Sequence, residues 1–332
     1  MFAPGLLSMI VSLALSSASS IEQQAVDAAS SALQSAPAAV APAVRPTARR
    51  VMTWVPSYGT TASMNQLTTM HGNVGPANSI THLALQFWVP TPDGKGVQYS
   101  TDGTVNDGVV NSFVQWGHSH GVKVVLAVYN DVPHSSNPPG NYSWDWDYAK
   151  NAFGANRVAF AAALVAEVKR LDMDGVDIDF EGPDQSTTGE HNGDRPAYVA
   201  FLKALKNKLG NKQLSLDSFP YIYNAPNWTW WHSILPVVDG MTSMGYQDIG
   251  RNAANWASYR KQKAHAGDFP QKLQLGMPSN LDTWQGNNAK QQTGWVVTDD
   301  AVGVGIWDAQ FAGSSWQTAP VWRNLRKLRL GQ

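Results

Sequence analysis

Cysteine is absent from this chain of 332 residues, so disulfide bridges and thiolate metal sites are excluded. Net charge is nearly absent too: 24 Lys and Arg side chains face 25 Asp and Glu, for a formal net charge of -1. A chain so close to neutral is a poor partner for the phosphate backbone of a nucleic acid. The sequence also lacks a glycine-rich phosphate loop and an HExxH motif, and we therefore expect no cofactor and no metal ion.

A long hydrophobic run is also lacking. An apolar stretch near the N-terminus covers residues 6–15, and small residues follow it at 16–20. This run is well short of the roughly 20 residues that a membrane-spanning helix needs, whereas its pattern is typical of a signal peptide. It departs from that pattern in one respect, because no basic residue precedes it. We predict a signal peptide over residues 1–20, a secreted, extracellular protein and no stable membrane anchor.

Composition divides the rest of the chain into two parts. Residues 21–48 are rich in Ala, Ser, Gln and Pro and cannot form a core, which indicates a linker or pro-segment. Residues 49–332 are predicted to form the folded part of the chain, which is long enough for one α/β barrel or two smaller domains. Arg49 and Arg50 could be a processing site, but we favour two charges that precede a strand.

From residue 51 onward, apolar runs alternate with helical patterns. The predicted strands cover residues 51–55, 80–89, 122–129, 174–181, 214–221, 240–245, 273–277 and 303–307. The predicted helices cover residues 107–118, 148–171, 195–209, 253–264 and 321–330. Eight strands with intervening helices predict a single (β/α)8 TIM barrel of the α/β class, with a doubly wound open sheet as the alternative. We expect a monomer.

The fourth predicted strand carries an unusual row of carboxyl groups. Apolar residues at 176, 178 and 180 alternate with Asp177, Asp179 and Glu181, so one face of the strand is apolar and the other acidic. An edge strand with a solvated acidic face is one interpretation. A strand between two helices, however, is usually buried on both faces, and buried carboxyl groups must be paired, share protons or take part in chemistry.

Glu181 ends this strand, at the end of a barrel where reactive residues lie. A neighbouring anion and burial should raise its pKa, so that it can donate a proton to a leaving group such as a glycosidic oxygen. The 14 Trp residues also suit a carbohydrate ligand, although some must fill the core. A second carboxylate could act as nucleophile or base, with Asp217 and Asp248 as candidates. Alternatively, an N-acetyl group of the substrate attacks, while Asp179 holds its N–H.

Residues 174–181 match a family signature. Asp174, Asp177, Asp179 and Glu181 reproduce the DxxDxDxE motif of glycoside hydrolase family 18, which comprises chitinases and endo-β-N-acetylglucosaminidases, and the chain resembles this family. The resemblance implies a (β/α)8 barrel and retaining hydrolysis assisted by the substrate acetamide. It implies Glu181 as acid/base, Asp179 as the residue that orients the acetamide, and Asp177 as support for Asp179. Asp174 is expected to be structural.

Two further strands resemble the family's motifs. Met244, Tyr246 and Gln247 stand where the family has Met-x-Tyr-Asp/Asn, which implies that Tyr246 binds the acetamide and that Gln247 keeps a binding role. Trp307 resembles the family's Trp beneath the cleaved sugar, although it could be a barrel plug. Three further aromatic residues are expected to line the cleft: Trp54, Tyr58 and Trp88.

The third predicted strand departs from the family pattern. Ala127, Tyr129 and Asn130 lie where the family often has Ser-x-Gly-Gly, so bulk is added near the barrel mouth and a hydroxyl that could bond an aspartate is lost. We therefore expect a divergent member.

The resemblance implies a secreted hydrolase of β-1,4-linked N-acetylglucosamine in chitin or its oligomers. An endo-β-N-acetylglucosaminidase acting on N-glycan cores and a non-catalytic chitinase-like lectin are the alternatives. A polysaccharide or oligosaccharide that contains N-acetylglucosamine is expected as the partner in each case.

Overall fold

A computed structural model gives the structure of the protein. It describes residues 47–133, 142–182, 192–222, 224–246, 255–279, 288–299 and 301–332.

Eight parallel strands form the centre of the molecule and close into a barrel. In chain order they are β1 Val51–Pro56, β2 His82–Pro90, β3 Lys123–Tyr129, β4 Gly175–Asp179, β5 Gln213–Ser218, β6 Gly240–Ser243, β7 Leu273–Pro278 and β8 Gly303–Trp307. Each strand pairs with the next, and β8 pairs with β1. The predicted (β/α)8 barrel is confirmed, and the open-sheet alternative is wrong because β1 pairs on both sides.

Helices surround the barrel. They are α1 Thr60–Leu67, α2 Pro76–Ser79, α3 Asp107–Ser119, α4 Trp146–Phe153, α5 Arg157–Arg170, α6 Arg195–Leu209, α7 Trp231–Ile234, α8 Trp256–His265, α9 Ala289–Asp299 and α10 Ala319–Leu330. In the described part of the chain, three short strands lie outside the barrel: Val97–Tyr99, Asp131–Pro133 and Tyr142–Trp144. Of the helices that the structure describes, none has the length and apolar character needed to cross a bilayer.

The alternation of side chains along the strands explains two separate apolar clusters. Val176 and Ile178 of β4 point outward into the large core between the barrel and the helices. A smaller cluster fills the barrel interior, and Trp307 packs against it; its members are Met52, Trp54, Ala84, Val125 and Ala127. Successive strand residues face opposite sides of the sheet, so the outer core and the barrel interior are built from alternating positions.

The two arginines before β1 are structural. The Arg49 guanidinium donates hydrogen bonds to the carbonyl groups of Val296 and Val297 in α9, and its backbone N–H donates to Leu328 O. Arg50 donates from Nη2 to Gln213 Oε1 at 2.6 Å, at the N-terminal end of the barrel. These contacts agree with the interpretation of two charges that precede a strand.

Several predicted boundaries differ from the structure. The strand predicted over residues 214–221 ends at Ser218, and the strand predicted over residues 240–245 ends at Ser243. The helix predicted over residues 148–171 is two helices, because Gly154 ends α4 and the side chain of Asn156 bonds to Asn151 O at 3.1 Å before α5 begins. The fourth strand ends at Asp179, so Glu181 follows the strand. The β3–β4 ladder stops at the pair of Tyr129 and Asp179, and the backbone of Glu181 bonds to a side chain instead.

Candidate active site

A cavity of about 540 Å³ lies at the C-terminal ends of the barrel strands. Its walls are formed by Trp54, Tyr58, Gln86, Asp102, Tyr129, Asp131, Trp144, Asp179, Glu181, Asp217, Phe219, Tyr221, Asn224, Met244, Tyr246 and Trp307. Because parallel strands all end at the same rim, residues far apart in sequence meet there. Five of these residues carry carboxyl groups, and no basic side chain lines the cavity among the residues described.

Asp177 lies deepest in the acidic row of β4 and is fully buried. Trp54 Nε1 donates to its Oδ2 at 2.8 Å, and Ser215 Oγ donates to its Oδ1 at 2.5 Å. The positive charge of Arg50 also favours its ionised form. Burial nevertheless raises the pKa of Asp177, since desolvation outweighs these contacts.

Asp179 is the next carboxyl group of the row and lines the cavity with 4% of its surface exposed. Gln86 Nε2 donates to its Oδ2 at 2.6 Å. Burial, followed by the charge of Asp177, raises the pKa of Asp179 to about 7. The carboxyl group of Glu181 lies within hydrogen-bond reach of Asp179, so the ionisation of each group affects that of the other.

Glu181 is the outermost carboxyl group of the acidic row and lies just beyond the end of β4. Its backbone N–H donates to Asn130 Oδ1 at 2.9 Å, and its carbonyl oxygen accepts from Asn130 Nδ2 at 3.0 Å. Asn130 Nδ2 also donates to Asp145 O at 2.9 Å. Burial raises the pKa of Glu181 well above its ordinary value, and the charges of Asp179 and Asp131 raise it further. A carboxyl group whose pKa is raised in this way is suited to donate a proton to a leaving group.

Aromatic side chains form much of the remaining wall. Trp54, Tyr246 and Trp307 line the cavity beside the carboxyl groups, and Tyr58 stands at the opening with 60% of its surface exposed. Met244 lines the cavity as well. Burial, followed by the neighbouring carboxyl groups, raises the pKa of Tyr246, so its hydroxyl remains a hydrogen-bond donor.

A second acidic group occupies the rim formed by β3. Asp102 accepts hydrogen bonds from the hydroxyls of Ser57, Ser100 and Tyr129, the last at 2.8 Å. Asp131 follows β3 and pairs with Trp144 across a short antiparallel ladder. Burial and the charge of Asp102 raise the pKa of Asp131 to about 6. Tyr129 thus replaces a small residue of the family pattern with a phenol that is anchored to this rim.

The other residues that the sequence singled out do not all lie at the cavity. Trp88 does not line the cavity, and that prediction is wrong: it is 1% exposed, and its Nε1 donates to Glu167 Oε1 of α5 at 3.1 Å. A bulge in β2 between Gln86 and Trp88 shifts the alternation and turns Trp88 toward the helices. Gln247 and Asp248 lie outside the described residues. Asp174 accepts from Val124 N at 2.8 Å and ties the start of β4 to β3.

Sequence reasoning missed three residues that hold the acidic row: Gln86, Ser215 and Asn130. All three are polar residues at or next to predicted buried strands, which is the one signal that the sequence offers. Together with Trp54 they donate hydrogen bonds to residues of the acidic row. The family pattern would instead suggest a Ser on the third strand as a donor. In the part of the chain that the structure describes, no group of three or more His, Asp or Glu side chains could hold a metal ion.

The fold and the cavity define a class of protein. A (β/α)8 barrel whose strand ends bring a carboxyl group with a raised pKa beside a second carboxyl group, within aromatic walls, is the arrangement of a glycosidase. The sequence matches the model of the family described as glycosyl hydrolases family 18 over residues 50–327. The chain belongs to this family and is a glycosidase. A comparison with curated protein sequences found no match.

Solved structures show the same fold. A chitinase from Chromobacterium violaceum ATCC 12472 is 13% identical, with a TM-score of 0.60 over 86% of this chain and 100% of that chain. The Group IV chitinase of Ostrinia furnacalis in complex with allosamidin is 14% identical, with a TM-score of 0.60 over 86% and 100%. The Bacillus cereus spore cortex-lytic enzyme SleL is 14% identical, with a TM-score of 0.57 over 84% and 74%.

Proposed function

We propose that this protein is a secreted, monomeric hydrolase of β-1,4-linked N-acetylglucosamine that acts on chitin or its oligomers. The observation that carries the proposal is the setting of Glu181, a carboxyl group with a raised pKa that lies beside Asp179 in an aromatic-walled cavity. The chitinases among the structural neighbours, one of them solved with allosamidin, support this substrate class.

In the first step, the protonated carboxyl group of Glu181 donates its proton to the glycosidic oxygen as the bond to the anomeric carbon breaks. The carbonyl oxygen of the substrate's own acetamide attacks that carbon from the opposite face and forms an oxazolinium ion. Asp179, held at Oδ2 by Gln86, accepts the hydrogen bond of the acetamide N–H and stabilises the positive charge. Tyr246 donates its hydroxyl to the acetamide oxygen and keeps that oxygen in position.

In the second step, Glu181 is a carboxylate and acts as a base. It removes a proton from water, whose oxygen attacks the anomeric carbon on the face that the leaving group has vacated. The bond between that carbon and the acetamide oxygen breaks, and the acetamide is restored. Two displacements at one carbon give net retention, and Glu181 returns to its protonated form.

The cavity walls suit a sugar chain. Trp307 provides the floor on which the cleaved sugar stacks, while Trp54, Tyr58 and Met244 present apolar faces to the sugar rings. The near-neutral chain and the carboxyl-rich cavity suit hydroxyl and amide donors better than an anionic ligand.

The test is mass spectrometry of the products after incubation with N-acetylglucosamine hexamer. The wild type should release shorter oligomers, and Glu181→Gln should release none, because the amide keeps the shape and has no proton to donate. Glu167→Gln is the matched control: Glu167 lies on α5 and bonds to Arg170, so this variant should retain activity.

Substantial cleavage by Glu181→Gln would refute the assignment of the acid. If the wild type binds the hexamer and cuts nothing, this substrate is wrong for the enzyme, and the hydrolytic proposal fails for chitin. Neither binding nor cleavage would direct the search to N-glycan cores, and a high-mannose glycopeptide is the substrate to try next.

Secretion rests on residues 1–20, which we propose are removed as a signal peptide. The N-terminal sequence of protein recovered from the culture medium checks this proposal. An extracellular protein that begins at Met1, or retention of the whole product inside the cell, would contradict it.

A further inference from the structure

Asp217 is a buried carboxyl group in the cavity to which the proposed reaction gives no part. It lies on β5, its surface is 3% exposed, and it lines the cavity together with Glu181 and Tyr246. Its Oδ1 receives no hydrogen bond from any N–H or hydroxyl group of the described residues. The carboxyl group of Asp177 lies within hydrogen-bond reach of it.

Two buried carboxyl groups in contact cannot both be ionised at an acceptable cost, so one of them holds a proton. Asp177 accepts hydrogen bonds from Trp54 and Ser215 and is close to the positive charge of Arg50. All of these contacts favour its ionised form. Asp217 Oδ1 has no comparable donor among the described residues, and the charges of Asp177 and Asp179 lie nearby. The proton therefore belongs on Asp217.

A protonated Asp217 uses its two oxygen atoms differently. One carries the proton and donates it in a hydrogen bond to Asp177. The other is a carbonyl-type acceptor on a side chain that lines the cavity. In the proposed mechanism Asp179 takes the N–H of the acetamide, so the donor that remains for Asp217 on the same sugar is a hydroxyl group.

We propose that Asp217 is a substrate-binding carboxylic acid that stays neutral, donates its proton to Asp177 and accepts a hydrogen bond from a hydroxyl group of the sugar whose bond is cleaved. This inference rests on the proposed function for the identity of the sugar. It also excludes Asp217 as a nucleophile, since a protonated carboxyl group attacks an anomeric carbon poorly. The raised pKa of Asp217 supports the neutral form.

The contact between Asp217 and the sugar is tested by measuring binding in a protein that does not cleave the hexamer. In the Glu181→Gln protein, adding Asp217→Ala should weaken hexamer binding about five- to tenfold, which corresponds to one lost hydrogen bond. Adding Asp217→Asn should weaken it about threefold at most, because the amide keeps one donor and one acceptor. Asp239→Ala is the matched control: Asp239 bonds to Lys206 and Leu214 N at the opposite end of the barrel, so its loss should lower stability and leave the dissociation constant unchanged.

Two further measurements separate the roles. In the otherwise wild-type enzyme, Asp217→Asn should lower kcat/KM a few-fold, whereas Glu181→Gln abolishes activity. The infrared carbonyl stretch of a protonated carboxyl group should be present in the wild type and reduced in Asp217→Asn without any ligand.

Each of these measurements tests a different part of the proposal. An unchanged dissociation constant in Asp217→Ala would show that Asp217 does not contact the sugar, and an unchanged infrared band would show that it is ionised. Loss of activity in Asp217→Asn to the level of Glu181→Gln, with indifference to a thiazoline mimic of the oxazolinium, would make Asp217 the nucleophile. Failure of the proposed function looks different: the wild type would not cleave the hexamer and the Glu181→Gln protein would not bind it, while the infrared comparison would still decide the protonation of Asp217.

Discussion

Asn130 contacts the backbone of Glu181 through both ends of its side-chain amide. The amide continues the pairing of β3 and β4 by one residue beyond the last backbone pair, which is Tyr129 with Asp179. Asn130 is fully buried, and its third hydrogen bond, to Asp145 O, fixes the amide itself. The position of the Glu181 carboxyl group therefore depends on a residue that does not line the cavity.

We expect Asn130→Ala to lower kcat about 10- to 100-fold while changing KM less than about threefold, because the acid is misplaced and the binding walls remain. Steady-state kinetics on the hexamer measures both constants. Asn156→Ala is the matched control, since Asn156 also bonds to backbone carbonyls but lies far from the cavity. An equal kcat in Asn130→Ala and Asn156→Ala would show that Asn130 has no positioning role.

At the scale of elements, a positive charge at the N-terminal ends of the barrel strands stabilises the ionised form of the deepest carboxyl group of the acidic row. Arg50 precedes β1, and its guanidinium lies near Asp177 and Asp239. Gly240 at the start of β6 leaves room for it, because a Cβ there would lie 2.5 Å from Arg50 Nη1. Burial lowers the pKa of Arg50 to about 10, which leaves it charged at neutral pH.

We predict that Arg50→Met lowers the free energy of unfolding by about 1.5–3 kcal/mol at pH 8, the range for a hydrogen bond to a charged group. The loss should be smaller at pH 5, since Asp177 then needs less compensation for its charge. Denaturant unfolding at the two pH values measures this. Arg326→Met, which changes an arginine of α10 outside the barrel, should have little effect at either pH. A loss of equal size at both pH values would contradict the electrostatic role.

At the scale of the whole molecule, the barrel buries carboxyl groups whose pKa values are raised. Burial raises the pKa of Asp177, Asp179, Glu181 and Asp217, and their ordinary values in an unfolded chain are about 4. Between those values and the raised ones, the folded protein binds more protons than the unfolded chain. Stability therefore falls as the pH rises through this window. Buried His82, whose pKa is lowered, acts in the opposite direction at acidic pH.

We expect the melting temperature to decrease from about pH 5 to pH 8, a window that includes the pKa of about 7 for Asp179. Asp217→Asn should flatten this decrease, because it removes one of the groups that lose a proton when the protein unfolds. Calorimetric scans of the two proteins across the pH range measure the difference in slope. A steeper slope in the variant would contradict the assignment of raised pKa values.

The sequence predicted most of this molecule for identifiable reasons. The strands at 303–307 and 273–277 and the helix at 195–209 were predicted almost to the residue, because periodic apolar patterns reflect burial directly. The row from Asp177 to Glu181 could be predicted because carboxyl groups on a buried strand must be paired, share protons or take part in chemistry. Predictions failed where local geometry departs from regular periodicity. The bulge in β2 turns Trp88 outward, and Gly154 divides one predicted helix into two.

The sequence by itself determined the barrel, the acidic strand and the family, because hydrophobic periodicity and the spacing of the motif are properties of neighbouring residues. Only the tertiary structure decided which residues hold the acidic row, since Gln86, Asn130 and Ser215 approach it from three other strands or strand ends. The tertiary structure also decided which carboxyl groups of the cavity have raised pKa values. The pKa of a carboxyl group depends on burial and on charges brought close by folding, and neither quantity is encoded at a single position of the chain.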